Sequence, residues 1–199
     1  MNFLAHAHLS GKNHEVLFGN FIADAVKGKN FERFEKDIQL GIKLHRMIDS
    51  YTDNHPVFRI TLNRIRKDFG KYSGIVVDIY YDHFLAKNWN DYHNDELRHF
   101  AKIVYGILKK RYLLLPSRTK RLLPFLITQN WLVGYANLKD LSLVFYGMDR
   151  RTGLHSGMSN AVEVLVNNYD DINRDFDEFY PELILYSSRA LTDLQLENL

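Results

Sequence analysis

The sequence contains no cysteine, only four prolines and no long apolar run. Without cysteine there is no disulfide, thiolate ligand or cysteine nucleophile, so any metal must be held by histidine and carboxylate side chains. Such ligands favour Mn²⁺, Mg²⁺, Fe²⁺ or Zn²⁺. No stretch approaches the ~20 apolar residues that span a bilayer, and the start, MNFLAHAHLS, lacks the basic region of a signal peptide. We therefore expect a cytoplasmic protein with no membrane contact.

Charge of one sign is also scarce, since the formal net charge of the 199 residues is only +2. Nucleic-acid binding is not expected, because neither a large net charge nor a stripe of basic and aromatic residues is present. The 46% hydrophobic and 25% charged content is that of a soluble globular protein. The chain has no repeat and no linker, so we predict one domain over residues 1–199.

Apolar residues recur with the 3.6-residue helical period, and no strand-like alternation is sustained, so the predicted class is all-α. The segment around His6 and His8 is expected to be extended or to cap a helix. Pro56 suits the first turn of a helix and Gly70 its end. We predict helices over 15–26, 34–51, 56–69, 73–87, 91–110, 117–129 and 131–146 with a break near Gly134, a short one over 158–167, and a last one over 169–194 that Pro181 interrupts.

The stretch GIKLHRMIDSYTDNHP, residues 41–56, sets an imidazole and a carboxylate into an apolar helix. His45 and Asp49 are four residues apart and therefore share one helix face. Asp78 and Asp82 repeat this spacing, and His83 adjoins them. Helical bundles build metal sites by bringing such side chains together. A divalent ion held there acidifies water and polarises a phosphoryl oxygen.

Two further positions carry candidate ligands. Asp24 lies in an apolar run, GNFIADAVKG, where an unpaired carboxylate would be costly, and His6 is close to the start. The alternative is a helical binding module without turnover, in which these groups are structural and Asp49 merely pairs with a cation. Spacing alone does not decide between them, and the isolated histidines are assigned no role.

Five strings carry a resemblance over nearly the whole chain. MNFLAHAHLS, GNFIADAVKG, GIKLHRMIDSYTDNHP and DIYYDHFLAKNW, in this order, and the late FYPEL closely resemble the acyl carrier protein phosphodiesterase family. The most specific part is HRMIDSYTDNHP. One departure is Ala25, where many relatives carry an aromatic residue; it is a packing position that bears on substrate fit.

The resemblance implies an all-helical bundle that is a divergent, permuted relative of the HD metal-dependent phosphohydrolases. It implies hydrolysis of holo-acyl carrier protein to apo-acyl carrier protein and 4′-phosphopantetheine, within fatty acid and lipid metabolism. Mn²⁺ is the favoured ion, with Mg²⁺ or another divalent ion as the alternative. The competing function is an HD-type phosphohydrolase that acts on a nucleotide or another small phosphodiester.

A permuted HD site needs an aspartate, a histidine and an adjacent His/Asp pair from three helices. The matching positions are Asp24, His45 and the pair Asp82-His83, which runs in reverse order. That reversal leaves open which of Asp78, Asp82 and His83 are ligands.

The resemblance also suggests which residues could support the metal site. His6 and Asp49 are predicted as further ligands or as groups that orient an imidazole, and His6 or His83 as the proton donor to the leaving serine oxygen. Arg46 is predicted to bind the phosphate. It is a better candidate than Lys27, because the two N–H groups of a guanidinium can donate to two phosphate oxygens at once.

The implied substrate partner, an acyl carrier protein, is small and acidic, so we expect a basic docking surface. The candidates are Arg59, Arg64, Arg66 and Lys67 on the predicted 56–69 helix, and the run KKRYLLLPSRTKR at 109–121.

Overall fold

The computed structural model describes residues 1–197, and every regular element in that part of the chain is helical. The predicted all-α class is confirmed, while residues 198–199 of the predicted domain lie outside the described part. None of the described helices is long and apolar enough to cross a membrane. The helices are α1 (Phe3–His8), α2 (His14–Ile22), α3 (Lys36–Asn54), α4 (Pro56–Phe69), α5 (Ser73–Lys87), α6 (Trp89–Tyr92), α7 (Leu97–Lys110), α8 (Ser117–Thr128), α9 (Trp131–Gly134), α10 (Leu138–Arg151), α11 (Ala161–Asn167) and α12 (Tyr169–Leu196).

Helix ends with strong local signals lie where the sequence predicts them. Helix α4 begins at Pro56, whose missing N–H costs nothing in a first turn. It ends before Gly70, which has a φ of 51° that side chains with a Cβ rarely adopt. Helix α5 also has the predicted bounds, Ser73–Lys87.

Three predictions about the helices were wrong. The N-terminal segment is helical, because the Asn2 side chain accepts the N–H of Phe3 at 2.9 Å and caps α1. The predicted 91–110 helix is divided, since the Trp89 indole donates to the Asp95 carbonyl in the loop between α6 and α7. Helix α12 continues through Pro181, because Phe176 and Phe179 and their neighbours are fully buried. Their burial, about 1.5–3 kcal/mol each, outweighs the proline penalty of about 3 kcal/mol.

Helices α2 and α3 cross at a contact that only glycine allows. A Cβ on Gly41 would lie 2.1 Å from the Val16 carbonyl oxygen, and one on Gly19 would lie 2.1 Å from the Ile38 carbonyl oxygen. The two backbones therefore touch directly. Because Asn20 follows Gly19 and His45 lies one turn after Gly41, the crossing brings these two side chains together.

Helix α1 is fixed on α5 by a buried carboxylate. Asp82 accepts hydrogen bonds from the backbone N–H groups of Leu4 and Ala5, at 2.8 and 3.1 Å. These are donors of the first turn of α1, which have no partner inside the helix. The contact holds α1, and with it His6, against the rest of the bundle.

Candidate metal centre

Two helices, α1 and α3, and the turn after α2 bring two histidines and two aspartates together. The Nε2 atom of His45 lies 3.1 Å from Asp49 Oδ2 and 3.3 Å from Asp24 Oδ1. The other oxygen of Asp49 lies 3.1 Å from His6 Nε2. The two imidazole rings stack with their centroids 3.8 Å apart. Asp49 thus bridges His6 of α1 and His45 of α3, while Asp24 approaches from the Ala23–Ala25 turn.

A buried amide sets the orientation of His45. The Nδ1 atom of His45 lies 3.1 Å from Asn20 Oδ1, so we assign the Nδ1 proton as the donor and Nε2 as the atom that faces the carboxylates. The Asn20 amide nitrogen donates to the His6 carbonyl and to Ser10 Oγ, both at 3.0 Å. Groups that hold the second nitrogen of an imidazole in this way are typical of metal-binding histidines.

The four side chains differ in their exposure and in their protonation. The histidines are buried, whereas the side chains of Asp49 and Asp24 are 39% and 69% exposed. Burial lowers the pKa of His6 to about 4, aided by the charge of His45. Burial would also lower the pKa of His45, but hydrogen bonds to Asp24 and Asp49 raise it to about 9. The two aspartates therefore favour the protonated, positively charged form of His45.

The donor set suits a divalent cation. One ligand atom from each of His6, His45 and Asp49 lies within 4.8 Å of the others. Donor atoms around one octahedral ion lie about 3 Å apart, which is close to the separations found here. Imidazole and carboxylate donors together form a mixed shell of the kind that borderline ions accept. An ion would displace the proton that the aspartates hold on His45.

Asp78 is connected to this cluster through an amine. Its Oδ1 lies 2.9 Å from the α-amino nitrogen of Met1, which also lies 3.8 Å from Asp49 Oδ1. Burial of the amine would lower its pKa, but the charges of Asp78 and Asp49 raise it to about 10. Asp78 is thus paired with the amine at the edge of the cluster.

Asp82 and His83 lie outside the cluster, so the predicted pair does not meet His45. Asp82 is occupied by the N–H groups of α1, and burial raises its pKa to about 7 despite those donors. Both ring nitrogens of His83 are engaged, Nδ1 with the Tyr135 carbonyl at 2.7 Å and Nε2 with the Tyr169 hydroxyl at 2.8 Å. Both side chains are thus engaged away from the cluster, so we do not include them in the candidate metal centre.

Arg46 is committed to the loop that follows Asp24. Its guanidinium donates to the carbonyls of Val26 and Gly28, at 3.2 and 2.8 Å, and lies over the Phe31 ring at 5.0 Å. In this arrangement Arg46 holds the loop, and its role as a phosphate contact stays a prediction. Lys27 is exposed on the same loop.

A cavity of about 510 Å³ adjoins the cluster, and Asp24 belongs to both. Asn2 and Ala25 also line it on the side of the cluster, whereas α8 and α10 line the other side. Three arginines, Arg118, Arg121 and Arg151, occur in a lining that is otherwise mostly apolar.

The predicted docking surface is only partly available. Arg64 pairs with Asp171 at 3.0 Å and with Asp175 at 3.3 Å, so its charge is already neutralised within the chain. Arg59 donates to the Asp53 carbonyl and the Asn54 side chain, and Arg111 pairs with Glu15. The predicted cations that have no hydrogen-bond or ion-pair partner among the described residues are Arg66, Lys67, Lys109, Lys110, Arg118 and Arg121.

Sequence reasoning missed Asn20 and the cavity arginines. The sequence does indicate a role for Asn20, because a polar amide in the apolar run FGNFI needs hydrogen-bond partners when it is buried. Arg118 and Arg121 were predicted only as part of a surface run, and Arg151 was not singled out. Nothing in their local sequence indicates that they meet at one cavity.

Comparisons with known proteins show a close set of relatives. A profile of the acyl carrier protein phosphodiesterase family matches residues 1–183. The acyl carrier protein phosphodiesterase of Photorhabdus laumondii is 32% identical over 188 residues, covering 92% of this chain and 93% of that protein. The proteins of that name from Escherichia coli O6:H1 and K12 are 33% identical over 194 residues, covering 95% of this chain and 98% of each. No solved structure matches the chain significantly.

Proposed function

The chain belongs to the acyl carrier protein phosphodiesterase family and is an enzyme, and from that premise we propose that it hydrolyses holo-acyl carrier protein in a metal-dependent reaction. The products are apo-acyl carrier protein and 4′-phosphopantetheine. The observation that carries the proposal is the convergence of His45, Asp24 and Asp49 beside a cavity. This is the place where a phosphodiester can reach both an ion and water.

His45, Asp24 and Asp49 would hold the ion, which we propose to be Mn²⁺. A bound divalent cation supplies a Lewis acid that acidifies water and neutralises charge on phosphoryl oxygens. Asn20 keeps the His45 ring turned so that Nε2 faces the two carboxylates. The exposed sides of Asp24 and Asp49 leave the centre open toward solvent and substrate.

In the reaction, the oxygen of a water molecule forms a bond to phosphorus while the bond from phosphorus to the serine oxygen of the carrier breaks. The leaving oxygen needs a proton. We assign this transfer to His6, because its Nε2 atom faces Asp49 and its Nδ1 atom has no hydrogen-bond partner among the described residues. Since the pKa of His6 is lowered to about 4, the ring is neutral at pH 7, so it takes a proton from the attacking water and then passes that proton to the serine oxygen. We do not assign this role to His83, because both of its ring nitrogens have hydrogen-bond partners.

The partner is the acidic carrier protein, and the unpaired cations of the predicted docking surface are its proposed contacts. Lys109, Lys110 and Arg118 are exposed around the connection between α7 and α8, close in sequence to the residues that line the cavity. Opposite charges on the two proteins speed their encounter more than they add affinity.

The test is incubation of the purified chain with holo-acyl carrier protein and Mn²⁺, with the mass of the carrier as the readout. We expect loss of the whole phosphopantetheine unit. His45→Ala should abolish this loss, whereas His99→Ala, at an exposed position on α7, should not. An unchanged carrier mass with the wild-type chain contradicts the proposal, and turnover of a small phosphodiester in its place favours the HD-type alternative.

A further inference from the structure

One face of α8 borders the cavity beside the metal centre and carries both cationic and apolar side chains. Arg121 and Leu122 lie three and four residues after Arg118, and Phe125 lies four and three residues after them, so the four side chains share one side of the helix. All of them line the cavity. Phe125 is 54% exposed, so much of its ring is available to contact a ligand. The face therefore offers cationic and apolar groups to the same space.

The arginines of this cavity lack anionic partners. Within residues 1–197, Arg118, Arg121 and Arg151 have no side-chain hydrogen bond and no ion pair. Arg46, Arg64 and Arg111 are occupied, and exposed arginines such as Arg66 and Arg189 do not line the cavity. Three cations around one cavity repel each other, and an anion within reach of them removes that cost. The guanidinium fork matches the oxygens of a phosphate.

The remaining walls are suited to an apolar chain. Phe3, Phe21 and Ile22 line the cavity on the side of α1 and α2, and Val144 and Met148 line it from α10. A volume of about 510 Å³ lies within the range of small-molecule sites. The ligand class that fits is therefore a phosphate attached to an elongated and largely apolar body.

We propose that this cavity binds the 4′-phosphopantetheine group itself, with Arg118, Arg121 and Arg151 on its phosphate and the apolar walls along its pantetheine chain. This inference rests on the proposed function for the identity of the ligand. Because Asp24 belongs both to the centre and to the cavity lining, the phosphate lies between the arginines and the ion-binding side chains. The released product keeps both the phosphate and the chain, so it binds the same cavity and competes with the substrate.

The test is calorimetric titration of the full chain, supplied with Mn²⁺, with 4′-phosphopantetheine and separately with pantetheine, which lacks the phosphate. We expect Arg121→Gln to weaken phosphopantetheine binding about tenfold, as expected for the loss of one charge-assisted hydrogen bond. Pantetheine binding should change less than about twofold in this variant. Phe125→Ala should weaken both ligands, because it removes a wall of the chain site.

A matched control is Arg189→Gln, an exposed arginine on α12 that does not line the cavity. It should leave both affinities unchanged. Equal losses in Arg121→Gln and Arg189→Gln, the same affinity for pantetheine and phosphopantetheine, or no binding of either ligand to the wild-type chain would overturn the proposal. All these substitutions are at exposed positions, so folding is expected to survive.

The outcomes also separate this proposal from the proposed function. Hydrolysis of holo-acyl carrier protein without arginine-dependent ligand binding contradicts the cavity assignment and leaves the function standing. Arginine-dependent binding of phosphopantetheine without hydrolysis of the carrier contradicts the function and leaves the cavity assignment standing.

Discussion

Replacing Gly41 by alanine is expected to disturb both the fold and the candidate metal centre, because this residue lies where α2 and α3 touch. The added Cβ would lie 2.1 Å from the Val16 carbonyl oxygen and 2.7 Å from the backbone nitrogen of Asn20. Both are backbone atoms, which cannot rotate away as a flexible side chain can. The helices must therefore separate, and Asn20, which orients His45, moves with α2.

The magnitude follows from the size of that separation. Relief of the clash requires a shift of roughly 1 Å, and a gap of that size forfeits up to about half of the dispersion energy of the contacts that it opens. Overpacking by one methyl group costs about 1–3 kcal/mol where neighbours can adjust. Because the backbone adjusts less, we expect a loss of about 3 kcal/mol or more in the free energy of unfolding. That corresponds to a fall in Tm of about 6–12 °C for a chain of this length.

The assay is chemical denaturation followed by helical circular dichroism, with a matched Gly→Ala control. Gly106 lies on α7 with no atom within 4 Å of the position of its Cβ, so Gly106→Ala should stabilise the chain by about 0.5–1 kcal/mol. Opposite signs for the two variants are the expected result. A Gly41→Ala protein as stable as the wild type would refute the view that direct backbone contact positions the centre.

Three other changes test separate parts of the account. His6→Gln should keep Mn²⁺ affinity within about threefold but lower turnover of holo-acyl carrier protein by about 10²–10⁴, the usual contribution of a proton-transfer group; a parallel loss of Mn²⁺ binding would instead make His6 a ligand. Asp149 accepts four hydrogen bonds from Ser156 and Ser159, which lower its pKa to about 2. Since the folded-state pKa of Asp149 lies below the unfolded value, the stabilisation by Asp149 is present above pH ~4 and is lost as the pH falls toward ~2. Asp149→Asn should therefore lower the free energy of unfolding by about 2 kcal/mol at pH 7. Urea titrations at pH 7 and pH 3 should show that the difference in stability between this variant and the wild type shrinks in acid. Asp82→Asn places an amide donor opposite the N–H donors of α1, so unfolding free energy should fall by about 2 kcal/mol; no fall would mean that α1 is not held by this carboxylate.

Local signals predicted much of the helical framework. Pro56 and Gly70 act within their own turns, so their effects on α4 could be seen in the sequence. Pro181 could not be interpreted in this way, because the continuity of α12 depends on buried partners such as Phe179, which packs on residues distant in the sequence. The cap of α1 by Asp82 likewise joins residues that are 78 positions apart.

The sequence predicted only part of the candidate metal centre. The spacing of His45 and Asp49 puts them on one helix face, and the structure brings Asp24 and His6 to the same place. The same spacing at Asp78 and Asp82 indicated a second ligand helix, but periodicity does not reveal which neighbour a face meets. Asp82 meets the first turn of a helix that the sequence analysis predicted to be extended or capping, and Asp78 meets the amine of Met1.

The central claim is that His45, and not His83, belongs to the metal centre. Its most direct test is equilibrium titration of Mn²⁺ into the full-length wild-type, His45→Ala and His83→Gln proteins, with electron paramagnetic resonance reporting the free ion. We predict loss of Mn²⁺ binding in His45→Ala and wild-type affinity in His83→Gln, since His83 is engaged by Tyr135 and Tyr169. Retained binding in His45→Ala together with lost binding in His83→Gln would contradict the account.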